Sequence, residues 1–420
     1  MKKASGLLLF FAWVLMVSMA CGIELPGVKY GDKEPVSPGV WYQHARDTSV
    51  PWDINILEID TRNRNVGLIP VYVQPRMTPS GIARREDAVA CINGGYFNTS
   101  SFTTLSYFEK DNLVEHSGNG SSFFGISPGI KPKMVMTRLQ KGGTPFVSPS
   151  FWNDITDGIG GGPKLVDNGI LDVGTTEPYN LAGHINARHP RSAVGFNTTN
   201  NRLYFVVVDG RQKGWSAGMS CTELGKLMLD LGCHYALNYD GGGSSGMVVR
   251  GSVKNRPSDG TERKVPTAWV IVQGVTMDNL DPECHISGRW NRLTGEGVYF
   301  RNGLSINGGD TRAAVTWIPT LESSGQYKLY AWWGKDSTQF THVPVIVWDT
   351  VSAQTVFVDQ SVQGGTWNLV GTFNLKAGGQ NTIKIQNVAD KKSKVSADAV
   401  RLVYLGPVRD EVIIDNQDIK

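Results

Sequence analysis

Cysteine is scarce, with five residues in 420, and histidine little commoner, with seven. No CxxC or HxH spacing occurs among them, so a transition-metal site of familiar pattern has no support. Excess charge is also missing. Lysine and arginine number 41 against 38 acidic residues, a formal +3, and Lys2 and Lys3 supply most of it. Nucleic acid is therefore not an expected partner. Long apolar runs are absent except for Leu7 to Ala20, interrupted by Ser18, and this is shorter than the roughly 20 residues that cross a bilayer.

That run follows a lysine pair and ends at Cys21, which is the plan of a secretory signal. A cysteine directly after small residues resembles a bacterial lipoprotein signal, although Ser18 stands where that pattern prefers leucine. Cleavage by an ordinary signal peptidase after Ala20 is the alternative. Either route takes the chain out of the cytoplasm. The expected location is the cell envelope, anchored to the membrane by lipid at Cys21, or else the periplasm or the medium. Without Cys21 there remain Cys91, Cys221, Cys233 and Cys284. The pair Cys221 and Cys233 flanks a predicted helix, and at about 1.5 Å per residue it lies far beyond the roughly 7 Å limit for a disulfide.

Glycine and tryptophan are plentiful, at 49 and 12, a balance that suits turn-rich β architecture and sugar-facing surfaces. The stretch Leu203 to Gly246 organises the rest. Leu203 to Val208 is a buried strand by its apolar, β-branched content, and it stops at Asp209-Gly210. Tyr235 to Tyr239 repeats the pattern and stops at Asp240-Gly241. Between them Leu224, Leu227, Met228 and Leu231 recur at helical spacing behind the capping box Ser220/Glu223, and Gly232 ends the helix. A strand-helix-strand unit of this length predicts parallel strands with Asp209 and Asp240 side by side on one sheet edge. The run Gly241-Gly242-Gly243-Ser244-Ser245-Gly246 then offers backbone N–H groups and close approach to a ligand.

Elsewhere, Pro26 to Asp47 reads as an exposed lead-in. Trp52 to Ile59 and Val66 to Val73 read as a hairpin across TRNRN. Ala88 to Ile92 is a short strand that presents Asn93-Gly94-Gly95-Tyr96-Phe97-Asn98. Thr99 to Ser150, with strand signals only at Ser122 to Ile126 and Lys133 to Thr137, reads as a covering loop or insertion, and Asp154 to Asn168 as a glycine-rich turn bearing Lys164. Arg191, just before AVGF, is the favoured cation, and His189 reads as a turn residue.

Five motifs occur in order: INGGYFN, GIGGGPKLVDNG, HPRSAVGF, VVVDGR and LNYDGGGSSGMVVRG. Together they closely resemble the phosphodiester glycosidase family, over roughly Trp52 to Gln273. The resemblance implies hydrolysis of a sugar-1-phosphodiester, of the N-acetylglucosamine-1-phosphodiester α-N-acetylglucosaminidase type. It places the site on Asn93, Arg191, Asp209, Arg211 and Asp240 with the glycines around them. The chain has Tyr239 where family members often have leucine. Two carboxylates, Asp209 and Asp240, would serve the glycosidic bond. Asn93, Gly94, Gly95, Arg191, Arg211, Gly241, Gly242, Gly243, Ser244 and Ser245 would bind substrate. No cofactor is required by the sequence, and a divalent cation such as calcium is left open.

From Gly288 to Leu405 short strands recur, and GQYKLYAWWG, GGTWNLVGTFNLKAG and SADAVRLVYL resemble the golvesin C-terminal-like domain, a jelly-roll module of secreted enzymes. Trp332 and Trp333 point to opposite faces of a strand, so at most one should be core. The expected organisation is a signal over 1–21 and an α+β domain, a mixed sheet with helices, over 26–275. A linker over 276–287, an all-β jelly-roll sandwich over 288–406 and a tail over 407–420 follow. The readings set against an exported hydrolase of sugar-1-phosphodiesters are a surface polysaccharide-binding protein without catalysis and a glycosidase of ordinary glycosides.

Overall fold

The computed structural model describes residues 25–408, apart from 26, 102, 112, 118–121, 128–129, 137, 140–144, 147–154, 174–181, 295–296 and 301. The signal expected over 1–21, with Cys21, and most of the tail lie outside the described residues. Among those described, no helix is long and apolar enough to cross a membrane.

The first region is built on an eight-stranded sheet. In spatial order its strands are Lys29–Ser37, Val40–Asp47, Trp52–Asp60, Arg202–Val208, Arg191–Asn197, Tyr235–Asn238, Lys164–Asp167 and Ile170–Leu171. Trp52–Asp60 is buried on both faces, and its side chains alternate between them. Leu57 and Ile59 face the core shared with a second sheet, while Ile54 and Ile56 face the helix Cys221–Asp230. That helix is capped as expected. The Ser220 hydroxyl accepts from the Glu223 N–H and the Glu223 side chain returns to the Ser220 N–H, and Leu224, Leu227 and Met228 bury its apolar stripe. Cys221 and Cys233 fall at its two ends and are free thiols.

Opposite lies the strand Val265–Asp278, paired on one side with Ala90–Asn93 and on the other with Val66–Met77. A five-stranded sheet, which includes Tyr107–Lys110, Ser122–Ser127 and Asp157–Gly160, closes the core. Trp269 is its centre, with Phe124 at 5.5 Å and Phe205 at 6.4 Å between ring centroids. Fully burying one such aliphatic or aromatic side chain contributes about 1.5–3 kcal/mol.

Several expectations are corrected here. Every ladder among the described residues is antiparallel and the described helices are short (Pro79–Arg85, Ala182–Asn186 and Cys221–Asp230), so the first region is mostly β rather than α+β with a mixed sheet. Arg202–Val208 and Tyr235–Asn238 do run the same way, but Arg191–Asn197 lies between them, antiparallel to both. Asp209 and Asp240 therefore share an edge without being neighbours, two strand spacings or about 9–10 Å apart. Trp52–Asp60 and Val66–Met77 are strands of different sheets, not a hairpin, because TRNRN crosses from one layer to the other. The lead-in is ordered as two paired strands turned at Gly39, whose φ of +77° suits glycine. Within 99–150 the two strand signals hold as Ser122–Ser127 and Lys131–Met136, but Tyr107–Lys110 and Leu113–Ser117 join them in the five-stranded sheet, so the stretch is part of the core rather than a covering loop.

The second region is a β-sandwich. Cys284–Ser287, Ala314–Trp317, Thr382–Gln386, Val343–Trp348 and Ala353–Val358 form one sheet, and Ala399–Gly406, Gly325–Trp332 and Trp367–Leu375 form the other. Trp317, Val345, Ile383 and Ile385 pack against Leu329, Phe373, Val400 and Leu402. Both Trp332 and Trp333 are 2% exposed. Trp333 belongs to the sandwich core, while Trp332 is covered on the other face by Tyr299 and Trp367, so the rule that only one could be core fails on a strand covered on both faces.

No flexible linker separates the two regions at 276. Val265–Asp278 is one strand of 14 residues. Its first part pairs within the first region, and Gly274 to Asp278 pair with Ala399 to Val403 of the second. A Cβ on Gly274 would lie 2.0 Å from the Leu402 carbonyl oxygen, which explains the glycine. Side chains tie the halves further: Arg64 to Glu283 at 2.8 Å, Asn65 to the Thr320 carbonyl at 3.2 Å, and Lys328 to Asp87.

Candidate active site

One end of the core gathers four of the expected residues, three from the edge of the eight-stranded sheet and Asn93 from the sheet opposite. Asn93 is the last residue of its strand, Arg191 the first of its own, Asp209 directly follows its strand, and Asp240 stands two residues past the end of Tyr235–Asn238. Their environments divide them sharply.

Asp240 is the open one. It is only partly buried, and its N–H donates to the Gly94 carbonyl at 3.2 Å. Burial is the first influence on its carboxyl and raises its pKa to about 6, against the lowering effects of the Ser244 hydroxyl, Arg263, the Gly241 N–H and Arg211. The glycine turn wraps beneath it. Gly242 has φ +62° and donates its N–H to the Pro190 carbonyl at 2.9 Å. Arg211 has φ +60°, an unusual conformation for a side-chain-bearing residue that costs about 1 kcal/mol or more. It lays the guanidinium over the turn, where a Cβ on Gly242 would lie 3.1 Å from Arg211 Nη1. A Cβ on Gly243 would displace the ends of the Asp259 and Arg263 side chains, which stand over it. Arg263 pairs with Asp259 at 2.6 Å and reaches the Ser244 hydroxyl at 3.4 Å. The Ser245 hydroxyl is buried without a partner in the protein.

Asp209 is sealed. It is 1% exposed, and its carboxylate accepts from Trp215 Nε1 at 2.9 Å and from the Arg256 N–H at 2.9 and 3.0 Å. Burial raises its pKa to about 6, opposed by those donors. It holds two loops together and does not face an open surface. The expected pair of carboxylates is thus one accessible group and one framework group.

Asn93 is likewise a clamp. Fully buried, it donates from Nδ2 to the Asp240 carbonyl at 2.7 Å and to that of Gly94 at 3.3 Å. Its Oδ1 accepts from the Ser192 hydroxyl at 2.7 Å and the Gly246 N–H at 3.1 Å. Gly94 and Gly95 permit close packing. Cβ atoms there would meet Thr267 Oγ1 at 2.6 Å and Ser106 Oγ at 2.3 Å. Arg191 is fully buried, with Nε on the Met219 carbonyl at 2.9 Å and Nη2 on the carbonyls of His184 and Ala187. It anchors the strand start rather than offering a free cation.

Three groups join the site without having been singled out. His184 Nε2 lies 2.8 Å from the Tyr96 hydroxyl and 3.4 Å from Arg191 Nη1, and burial, then Arg191, then His189 push its pKa down to about 4. Its imidazole is therefore held neutral. Asn238 donates to the Tyr96 hydroxyl and the Gly162 carbonyl, both at 2.8 Å, while its Oδ1 is buried without a partner. Arg263 is the third. Asn238 was legible by period two, since it shares a strand side with Asp240. His184 carried no signal. His189, expected as a turn residue, sits with Nδ1 3.3 Å from Arg211 Nε and 3.2 Å from Nη2. Burial and then the neighbouring arginines lower its pKa, against a hydrogen bond to the Gly183 backbone that raises it. Lys164 is bound to Asp167 and Asp172 at 2.6 and 2.8 Å. Among the described residues no three His, Cys, Asp or Glu side chains are grouped to hold a metal ion.

Residues 86–272 match the model of the phosphodiester glycosidase family, and residues 275–404 match that of the Golvesin C-terminal domain. The chain carries a phosphodiester glycosidase domain followed by a Golvesin C-terminal domain. The boundary between the two matches falls inside the strand they share. A xanthan lyase of Bacillus sp. (strain GL1) is 26% identical over 271 residues, 62% of this chain and 27% of that protein. The SPbeta prophage-derived uncharacterized protein YomE of Bacillus subtilis is 41% identical over 87 residues, 21% of this chain and 13% of that one. The chain thus spans about a quarter or less of these relatives. Among solved structures, the zebrafish N-acetylglucosamine-1-phosphodiester alpha-N-acetylglucosaminidase catalytic domain is 21% identical with a TM-score of 0.45, covering 58% of this chain and 88% of that one. A family 35 carbohydrate binding module from Clostridium thermocellum is 13% identical with a TM-score of 0.26, covering 30% and 97%. All five motifs read from the sequence lie in or reach into the phosphodiester glycosidase domain, and the last of them supplies both Asp240 and its glycine turn.

Proposed function

We propose that this chain is an exported hydrolase that cleaves a sugar-1-phosphodiester in envelope or extracellular glycans, releasing the sugar and leaving a phosphomonoester. The observation that carries the reading is Asp240, a partly buried carboxyl over a glycine turn, with Arg211 and Arg263 near enough to act on its charge. In this reading Asp240 takes a proton from water while the water oxygen bonds to the anomeric carbon. The bond from that carbon to the phosphate oxygen breaks, and the phosphomonoester leaves with the electron pair. Phosphate is a weakly basic leaving group, so cations and N–H donors that neutralise it substitute for a strong general acid. Arg211 and Arg263 fill that role. Asp209, Asn93 and Arg191 hold the frame, and export follows the leader, with lipidation of Cys21 as the means of anchoring.

The test is to assay the purified full chain on glycosyl-1-phosphate diesters alongside nitrophenyl glycosides, with product analysis by NMR. Free sugar and a phosphomonoester from the diesters are expected. Cleavage of the nitrophenyl glycosides alone would make the protein an ordinary glycosidase. Polysaccharide binding with no turnover of either would make it a binding protein.

A further inference from the structure

A cavity of about 340 Å³ opens where the two regions meet, away from Asp240. The first region contributes Arg85, Lys110 and Asp111, and the second contributes Tyr330, Trp367 and Arg401. Neither region forms it alone.

Its floor is built in advance. Asp111 accepts from Trp367 Nε1 at 3.0 Å and lies 3.7 Å from Arg401. The Arg401 guanidinium stacks on the Trp367 ring at 4.1 Å and donates from Nε to Thr276 of the shared strand at 3.1 Å. Above this floor Tyr330 is half-buried, and the Arg85 side chain is 44% exposed beside Glu86. A site whose polar groups are fixed before binding loses little freedom on occupancy.

The lining selects a chemistry. Three cations are matched by Glu86, Asp111 and Glu115, so a polyphosphate or nucleic acid finds no net attraction. The charges equally disfavour an apolar ligand, which would desolvate them without compensation. A pyranose suits both halves of the lining, since its ring faces are apolar enough to lie on an aromatic and its rim of hydroxyls meets fixed donors and acceptors. The volume is within the range of small-molecule sites, roughly 300–1,000 Å³.

Position supports the same ligand. Helix Pro79–Arg85 starts under the glycine turn, where a Cβ on Gly246 would lie 2.9 Å from Pro79 Cγ, and ends in the cavity. Seven helical residues span roughly 10 Å. Strand Tyr107–Lys110 makes the same journey, from Gly160 beside Gly95 to Lys110.

We propose that this inter-domain crevice binds an uncharged stretch of oligosaccharide, a second carbohydrate site distinct from the one containing Asp240. It goes beyond the catalytic reading, and its test needs no turnover. Isothermal titration of the full chain with hexasaccharides of glucose, xylose and mannose should give saturable binding to at least one. Tyr330→Ala and Arg85→Ala should each weaken that binding about tenfold or more, the loss of one stacking ring or one charge-assisted hydrogen bond, with turnover of small substrates unchanged. Asp240→Asn should bind as wild type. Trp348→Ala should also be unaffected, since Trp348 is an exposed ring on the outer sheet of the sandwich. Absence of binding to all three sugars, binding that survives both crevice variants, or loss confined to Trp348→Ala would each overturn the proposal. Binding kept without any turnover of phosphodiesters would sink the catalytic reading alone.

Discussion

Replacing Asn93 with alanine separates a substrate ligand from a clamp. The side chain makes three short hydrogen bonds, to the Asp240 carbonyl, the Ser192 hydroxyl and the Gly246 N–H, and a longer one to the Gly94 carbonyl. Each is worth about 1 kcal/mol net, about 4 kcal/mol for the four together. The expected destabilisation is about 3–5 kcal/mol, large for one substitution. At roughly 2–4 °C per kcal/mol for a domain of this size, Tm should drop by about 10 °C. Asn93→Asp should do no better than alanine, because it keeps the acceptor but sets a second oxygen against the Asp240 carbonyl. Ser192→Ala, which removes a single partner, should cost about 1 kcal/mol. Thermal melts and urea titrations of the three variants, with kcat and KM on the same preparations, decide the matter. An Asn93→Ala protein that melts like wild type and differs only in a raised KM would refute the clamp and restore Asn93 as a substrate contact.

Asp240→Asn should abolish turnover with the melting curve unchanged; near wild-type kcat would remove Asp240 from the mechanism. As a base with pKa of about 6, Asp240 should make kcat/KM fall as pH drops through that value. Arg263→Ala, by deleting a cation that favours the carboxylate, should move this limb to higher pH, and a limb that stays put would mean another group titrates. Arg191→Ala should lower activity on diesters and on neutral glycosides alike, through lost stability, because its guanidinium is spent on backbone carbonyls; a loss confined to diesters would show that it meets the phosphate. Burial raises Asp278 to about 7, with the Leu280 N–H opposing and Asp281 adding to the rise. A folded pKa above the unfolded value means stability that is present at low pH and lost as pH rises through about 7. Tm should therefore fall from about pH 4 to about pH 7, and Asp278→Asn, which keeps the acceptor for Leu280, should flatten that fall.

Local sequence signals held where the chain decides structure locally. The Ser220/Glu223 box, the strand ends at Asp209 and Asp240, and the glycine turn all stand where their residues put them. What failed was long-range. An apolar run does not say which sheet it joins, so Trp52–Asp60 and Val66–Met77 read as partners although each pairs elsewhere. Nor does a strand-helix-strand unit reveal that a third strand, Arg191–Asn197, will enter between its two. Within the site, residue type marked Asp209, Asn93 and Arg191 as chemistry-bearing. Whether such a group faces solvent or backbone depends on residues far off in sequence, Arg256, Gly246 and Met219. His184 is the reverse case, a lone histidine in a five-residue helix that acquires meaning only when Tyr96 arrives beside it.

The strand Val265–Asp278 belongs to both sheets, so the spacing between the crevice and Asp240 is set by ladder hydrogen bonds and not by the slack of a linker. Two sites fixed in this way behave as a ruler. A polymer seated in the crevice would present its linkages to Asp240 at one constant offset, and digestion of a uniform chain should release fragments of narrow length distribution. A tether would instead yield a broad smear. Inserting two residues after Gly274 should then shift or scatter the fragment lengths while cleavage of a small diester proceeds at its former rate.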